Sequence, residues 1–254
     1  MDLNLQGKNV VVTGASKGIG LATARSFATE GANVHAVSRT VITEDGIESI
    51  PLDLTDHAAA RQLADRVGEA DILINNLGGV VPGSLTAAGF LDLDDDTWQA
   101  TYELNLFATV RITRALLPGL LNRRGVVINV SSIGARAAFP PVDYGTAKAA
   151  LNNLTKALAE EFGAGGLRAL TVTPGPTRTA NWSDPQGYAG RLADQAGLTL
   201  EEFITTVPGA MSITTGRLTE PEETAALITF LASDRSGNLT GADYLADGGV
   251  IKTV

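Results

Sequence analysis

The sequence contains no cysteine and only two histidines, and this excludes or disfavours several kinds of site. Without cysteine the chain cannot form a disulfide, a thiolate nucleophile, a zinc–cysteine site or an iron–sulfur cluster. His35 lies inside an apolar run and His57 near the start of a helical stretch, so structural roles are expected for both. Metal centres and triads that depend on histidine are therefore disfavoured, and no metal site is expected.

The chain also lacks an excess of positive charge and a long apolar run. Its formal net charge is −9, which opposes binding to the phosphate backbone of a nucleic acid. No apolar run approaches the ~18 residues that a membrane span requires. The N-terminus does not have the basic and then apolar layout of a signal peptide. We therefore expect a cytoplasmic protein with neither a nucleic-acid nor a membrane partner.

Short β-branched runs alternate with amphipathic stretches through most of the 254 residues. The pattern predicts strands near residues 9–12, 33–38, 48–52, 71–75, 125–130, 167–172 and 243–246. It predicts helices near residues 21–30, 55–67, 94–121 with a bend at Asn105, 146–162, 185–196, 200–206 and from 219 onward. No linker or repeat divides the chain. The alternation predicts one doubly wound α/β domain over residues 1–254, with a parallel sheet of about seven strands and helices on both faces.

The connection between the second and third predicted strands is unusually short. Only ~nine residues, including Glu44-Asp45-Gly46, separate the two strands, whereas a crossover helix needs a dozen or more. We expect a turn or a very short helical piece at this position.

A glycine-rich turn joins the first strand to the first helix. Gly14, Gly18 and Gly20 stand in the order GxxxGxG, after a strand and at the opening of a helix. Glycines without a Cβ allow the backbone to approach a pyrophosphate closely, and the helix N-terminus supplies amides and partial positive charge. This context favours a phosphate-binding turn over a plain strand–helix turn.

A phenol and an ammonium stand four residues apart in Tyr144-Gly-Thr-Ala-Lys148. On a helix this spacing places both groups on one face. A nearby cation stabilises phenolate and lowers a pKa that otherwise lies near ~10. The pair can therefore act as an acid/base catalyst, although a surface Tyr and Lys could share this spacing by chance.

With these motifs in place, the chain resembles the short-chain dehydrogenase/reductase family in its compact single-domain branch. The motifs that carry the resemblance are Thr13-Gly-x-x-x-Gly-Ile-Gly20, Asn75-Asn76-Leu77-Gly78, Tyr144-x-x-x-Lys148, Pro174-Gly175 with Thr179, Thr240-Gly241 and Asp247-Gly-Gly249. The second motif has Leu77 where the family usually has alanine. The resemblance extends over the whole chain and implies a Rossmann-type fold and a nicotinamide-dependent oxidoreductase.

The resemblance also implies a catalytic set of Asn105, Ser131, Tyr144 and Lys148. The family's usual spacing between serine and tyrosine selects Ser131, and the neighbouring Ser132 is the less favoured alternative. Tyr144 would exchange the proton with the substrate, and Lys148 would lower the Tyr144 pKa and bind the nicotinamide ribose. The side chain of Asn105 would hold a water molecule next to Lys148.

Family positions place a larger set of residues around the cofactor. These are Gly14, Ser16, Lys17, Gly18, Ile19, Gly20, Ser38, Arg39, Asp53, Leu54, Asn76, Leu77, Gly78, Tyr144, Lys148, Pro174, Gly175, Thr177 and Thr179. The second strand ends without the acid that would accept from the 2′-hydroxyl of NAD, and Arg39 stands there instead. Arg39 and Lys17 could pair with a 2′-phosphate, so NADP(H) is preferred to NAD(H), and Asp53 is expected near the adenine.

The resulting hypothesis is an NADP(H)-dependent enzyme that interconverts a ketone or aldehyde and an alcohol. Residues 134–143, a lid at about 181–216 and the residues after Gly78 would surround the substrate, which could carry a sugar, steroid-like, cyclic or acyl thioester group. A cofactor-binding sensor or scaffold without turnover is the alternative; an isomerase or dehydratase is disfavoured by length and by the Asp247-Gly-Gly249 ending. The family is commonly tetrameric, so a homotetramer or a dimer is expected.

Overall fold

The computed structural model describes residues 1–253 and contains one sheet of seven strands. The strands are β1 Asn9–Thr13, β2 Asn33–Ser38, β3 Ile47–Pro51, β4 Ile72–Asn75, β5 Val126–Val130, β6 Arg168–Pro174 and β7 Asp243–Ala246. Their order is β3-β2-β1-β4-β5-β6-β7, and every pairing is parallel. The predicted α/β domain with a parallel sheet of about seven strands is thus confirmed.

β1 lies in the interior of this sheet. Val10, Val11 and Val12 are fully buried, as expected of a strand covered on both faces. β1 pairs with β2 on one side and with β4 on the other, so the direction of winding reverses between β1 and β4. In open α/β sheets, the loops at the carboxyl ends of the strands part at such a point and leave a crevice that binds ligands.

Helices cover both faces of the sheet. The α-helices of the described residues are α1 Gly18–Thr29, α2 Ala59–Val67, α3 Pro82–Thr86, α4 Asp95–Tyr102, α5 Ala108–Asn122, α6 Val142–Phe162, α7 Ala180–Ser183, α8 Tyr188–Ala196, α9 Leu200–Ala210 and α10 Pro221–Ala232. α1 and α10 pack on one face around Phe27 and Ile228. α2, α5 and α6 pack on the other face around Leu63, Leu116 and Leu158.

The start of α2 differs from the prediction that Thr55 caps this helix. The Thr55 amide and hydroxyl both donate to Oδ1 of Asp53, at 3.0 and 2.7 Å. This bonding makes an Asx turn, so Thr55 belongs to the loop and the helix begins at Ala59.

The link between β2 and β3 contains no helix, as predicted. Glu44 pairs with Ile47 in an isolated antiparallel bridge that closes the turn. The Arg25 guanidinium of α1 makes two hydrogen bonds to the Glu44 carboxylate, and these bonds connect the turn to α1.

The expected irregularity at Asn105 is a π-helical turn. Glu103–Phe107 forms this turn between α4 and α5, which otherwise run as one helix, Asp95–Asn122. By length and composition alone that helix could span a membrane, with a mean hydropathy of 1.2 in its best window. Ile112, Leu116 and Leu120 are fully or almost fully buried against the sheet, which is the arrangement of a core helix.

The segment expected to form a lid contains three helices, α7, α8 and α9, where the sequence predicted two. Its apolar side chains Trp182, Phe203 and Met211 pack against a separate cluster that includes Ile133 and Val250. The short helix α3 was not predicted from the sequence. It begins at Pro82, shortly after the Asn-Asn-Leu-Gly loop.

Candidate active site

Tyr144 and Lys148 lie in the first two turns of α6, which begins at Val142 rather than at the predicted residue 146. Lys148 is 2% exposed, whereas the Tyr144 ring is half-buried. The Lys148 ammonium lies 5.8 Å from the centroid of the Tyr144 ring and donates to the Val130 carbonyl at 2.9 Å. The predicted pairing of the two side chains on one helix face is therefore present.

Burial is the largest cause of the pKa shifts of both groups. It raises the pKa of Tyr144, an effect that hydrogen bonding with Ser132 partly offsets. It lowers the pKa of Lys148 to about 8, because the charged ammonium is removed from water. The Lys148 ammonium is directed at the Val130 carbonyl rather than at the Tyr144 hydroxyl.

The preference for Ser131 over Ser132 does not agree with the geometry. Ser131 is 3% exposed, and its hydroxyl donates to the backbone carbonyl of Lys148 at 3.4 Å. Ser132 instead lies on the side of Tyr144. Its Oγ accepts from the Gly134 amide at 3.2 Å, and a Cβ on Gly134 would lie 3.6 Å from Ser132 Oγ and 3.9 Å from Tyr144 Cδ1. Successive side chains at the end of a strand alternate in direction, so a shift of one residue exchanges the buried and the open position.

Asn105 lies beside Lys148, and its side chain is hydrogen-bonded to the backbone. The water next to Lys148 stays a prediction. The amide nitrogen donates to the carbonyls of Gly79 and Thr101, and its oxygen accepts from the Gly79 amide, each at 2.9 Å. A fully buried side chain with these three bonds fixes the loop after β4. A Cβ placed on Gly78 would lie 2.7 Å from Asn105 Oδ1 and 2.8 Å from Lys148 Nζ, so this loop is pressed against both side chains.

The glycine turn meets the loops after β4 and β6 at the crevice. Asn76 Nδ2 donates to the carbonyls of Thr13 and Gly14, at 3.1 Å each, and joins the ends of β1 and β4. A Cβ on Gly20 would lie 2.4 Å from the Gly14 oxygen, and one on Gly18 would lie 2.9 Å from Thr179 Cγ2. The predicted residues around Gly14, Asn76 and Thr179 are therefore brought together.

The N-terminus of α1 fits an anionic ligand. Lys17 occupies the N-cap position without a side-chain hydrogen bond to the helix amides, and the first turn contains no acid. First-turn amides and the helix dipole are then available to a pyrophosphate. Ser16 and Ile19 flank this turn, although the Ile19 side chain also packs on the core.

At the end of β2, Arg39 and Lys17 are exposed, and neither forms an ion pair with another residue of the described chain. The Ser38 hydroxyl donates to the Thr40 carbonyl at 2.6 Å. Hydrogen bonds from Thr55 hold the pKa of Asp53 below its usual value, and the nearby Arg39 lowers it further. This end of the crevice therefore combines two free cations with an ionised carboxylate.

Several predicted cofactor residues have side chains that point into the protein. The Leu54 side chain is 4% exposed in the core, so only its backbone could reach a ligand. Leu77 packs partly on the same core, and Thr177 donates its hydroxyl to the Gly175 carbonyl at 2.9 Å. Pro174 ends β6, so that Gly175 begins the loop at the crevice.

Sequence reasoning missed a buried carboxylate beside the catalytic pair. Asp143 is 0% exposed and accepts from the hydroxyls of Ser84 and Thr101, at 2.5 Å each. Its position next to Tyr144 was the only signal available, and an acid at a helix start is usually solvated. Among residues 1–253, no group of three His, Asp or Glu side chains could hold a metal ion.

Comparisons with known proteins agree with this geometry. A family model described as Enoyl-(Acyl carrier protein) reductase matches residues 14–251. L-xylulose reductase of Bos taurus is 33% identical over all of both chains, and 2-keto-3-deoxy-L-fuconate dehydrogenase of Xanthomonas campestris pv. campestris is 34% identical over 96% of this chain and 80% of its own. A crystal structure of L-sorbose reductase from Gluconobacter frateurii, complexed with NADPH and L-sorbose, is 31% identical over all of both chains, with a TM-score of 0.87. The chain belongs to the short-chain dehydrogenase/reductase family of oxidoreductases.

Proposed function

We propose that the protein is an NADP(H)-dependent reductase of a ketone or aldehyde, and in reverse a dehydrogenase of the alcohol, with Tyr144 as general acid/base. The observation that carries this proposal is the grouping of Tyr144, Ser132 and Lys148 next to the loop after β4, which is hydrogen-bonded to the glycine turn. A binding protein without turnover has no use for a proton donor in this position.

In the proposed reaction the chain's own groups handle the proton and the geometry. The Ser132 hydroxyl donates to the substrate oxygen and orients it, and Tyr144 delivers the proton to that oxygen. Lys148 stabilises the resulting phenolate once its ammonium turns from Val130 toward the crevice. A bound nicotinamide supplies or takes up the hydride.

The preference for NADP(H) rests on the two free cations. Arg39 can bind a 2′-phosphate with two parallel hydrogen bonds, and Lys17 adds a second positive charge nearby. The NADPH complex of the related L-sorbose reductase supports this choice. NAD(H) with the same chemistry is the alternative.

We further propose that the substrate is a sugar or a related polyhydroxylated carbonyl compound. L-xylulose reductase, 2-keto-3-deoxy-L-fuconate dehydrogenase and L-sorbose reductase each carry such a compound in their names. The apolar lid residues Trp182, Phe203 and Met211 pack on their own cluster and so offer little support for a hydrophobic substrate.

The decisive experiment compares Tyr144→Phe with the wild type in NADPH oxidation against L-xylulose, L-sorbose and a wider panel of ketoses. We expect kcat to fall by roughly 10²–10⁴-fold, because the general acid is lost, while the Kd of NADPH changes less than about threefold. Tyr244→Phe, on β7, is the matched control and should keep its turnover.

Two results would contradict the proposal. NADPH binding with no turnover of any carbonyl compound by the wild type would favour the sensor or scaffold. Full turnover by Tyr144→Phe would show that the proton comes from another group.

A further inference from the structure

The Asp143 carboxylate is buried between three structural elements and is not used in the mechanism above. It lies in the first turn of α6, while Ser84 belongs to α3 and Thr101 to α4. Both hydroxyls donate to the same oxygen, Oδ2, and lie 3.3 Å from each other. A carboxylate oxygen can accept more than one hydrogen bond, so a single oxygen holds both hydroxyls.

Stability alone does not explain a carboxylate at this position. No Lys, Arg or His of the described chain lies within ion-pair distance of Asp143, and its second oxygen, Oδ1, is buried without a partner. A buried charge that lacks a counter-ion costs free energy of folding. A small neutral residue would cost less at this position, which points to a role in the reaction.

The Asp143 contacts fix the helical turn that carries Tyr144. α6 begins after Pro141, whose side chain makes no capping hydrogen bond, so the usual attachment of a helix start is missing. Asp143, one residue before Tyr144, instead links this helix start to α3 and α4 through its hydrogen bonds with Ser84 and Thr101. The helix N-terminus favours a negative charge in this turn.

The same network continues to the surroundings of Lys148. The Thr101 carbonyl accepts from Asn105, and Asn105 makes two hydrogen bonds with the backbone of Gly79. The neighbouring Gly78 is in close contact with Asn105 Oδ1 and Lys148 Nζ. Hydrogen bonds thus link Asp143, the neighbour of Tyr144, through Thr101 and Asn105 to Gly79, and the adjacent Gly78 lies near Lys148.

We propose that Asp143 is a positioning residue, whose carboxylate holds Ser84 and Thr101 and thereby sets the placement of Tyr144 relative to Lys148. This inference rests on the proposed function of Tyr144. A displacement of about 1 Å in a catalytic group can lower a rate by about 10²-fold, so an anchor of this kind has a measurable effect.

The test uses Asp143→Asn, which keeps the shape and removes the charge, and Thr101→Val, which removes one donor. We expect each to lower kcat by about 10–100-fold, with the Kd of NADPH within about threefold of the wild type. Thr101→Ser keeps the hydroxyl and should restore most of the turnover. The double variant Asp143→Asn/Thr101→Val should be little worse than either single variant, because the groups act as one unit.

Thr229→Val is the matched structural control. Thr229 is a buried threonine of α10, on the opposite face of the sheet, and its hydroxyl bonds to Ser26. Its replacement should lower Tm without lowering kcat, because it lies far from Tyr144. The concentration of active enzyme is determined for each variant from its NADPH-binding stoichiometry. Hydrogen exchange supplies a readout without substrate: Asp143→Asn should speed exchange in residues 142–148 and leave α10 unchanged.

The inference is overturned if Asp143→Asn and Thr101→Val lower Tm but keep kcat, or if their effects on kcat simply multiply. If Asp143→Asn does not fold, the comparison of Thr101→Val with Thr101→Ser decides: equal turnover refutes the role. Failure of the proposed function is separate, since it would appear as unchanged turnover in Tyr144→Phe.

Discussion

Two adjacent serines follow β5, and their hydroxyls have different partners. The Ser131 hydroxyl donates to the Lys148 carbonyl inside the protein, whereas hydrogen bonding with Ser132 acts to lower the pKa of Tyr144. The spacing to Tyr144 that the family usually shows selects Ser131, whereas the hydrogen bonds of the two hydroxyls favour Ser132. Counting residues along the chain does not give the direction of a side chain. The direction of a side chain is set by the strand that precedes it.

The serine assignment gives a direct comparison of two alanine variants. Ser132→Ala should lower kcat/KM by about 10²-fold, because the substrate oxygen loses a donor that acts in the transition state. Ser131→Ala should stay within about threefold of the wild type and affect stability instead. Steady-state kinetics with NADPH and the preferred ketose measure both, and the reverse order of effects would restore Ser131 as the catalytic serine.

Lys148 links the site to the stability of the fold. Its pKa is lowered from 10.5 to about 8 in the folded chain. At pH values between these two pKa values, the unfolded chain therefore binds more protons than the folded chain. Stability from this group therefore rises with pH through that window, and the buried ammonium is most costly below pH 8.

The pH dependence is measured by urea unfolding without cofactor. From pH 7 to 9.5 the wild type should gain about 2 kcal/mol of unfolding free energy relative to Lys148→Met, which cannot titrate. Lys156→Met, at an exposed position of the same helix, is the control and should change in parallel with the wild type. A constant difference between wild type and Lys148→Met would show that burial does not govern the ammonium.

At the scale of elements, the strands were the most predictable feature. Buried β-branched runs such as Val10–Val12 mark strands by composition alone, and parallel pairing follows from their alternation with helices. The short link between β2 and β3 was also predictable, because chain length limits what can cross a sheet.

The elements that sequence could not predict depend on contacts distant in the chain. α6 begins before Tyr144, although it contains Gly145, which is a poor helix former. Glycine stands at this position because a Cβ would lie 2.8 Å from the Gly134 carbonyl oxygen, a contact that local propensity does not reveal. The bonds of Asn105 to Gly79 and of Asp143 to Ser84 and Thr101 likewise join segments far apart in sequence. Local propensity contains no information on such partners.

At the scale of the whole molecule, a net charge of −9 opposes an anionic cofactor, so binding depends on where the few cations lie. Arg39 and Lys17 are exposed on the loops that follow β2 and β1, and these two strands are neighbours in the sheet. The homotetramer and the cytoplasmic location stay predictions from the family resemblance. The cofactor preference, in contrast, can be read from the stability of the whole domain.

A ligand that binds only the folded chain raises its free energy of unfolding, by about 2.7 kcal/mol at 100 times Kd. We expect NADPH to raise the Tm of the wild type more than NADH does. In Arg39→Asp the two cofactors should raise Tm equally. Each kcal/mol of cofactor-binding stabilisation that the variant loses corresponds to roughly 2–4 °C in Tm. Arg61→Asp, at a 90%-exposed side chain of α2, alters the net charge equally and is the control. If both variants keep the excess for NADPH, Arg39 does not contact the 2′-phosphate, whereas a loss in both would assign the preference to overall charge.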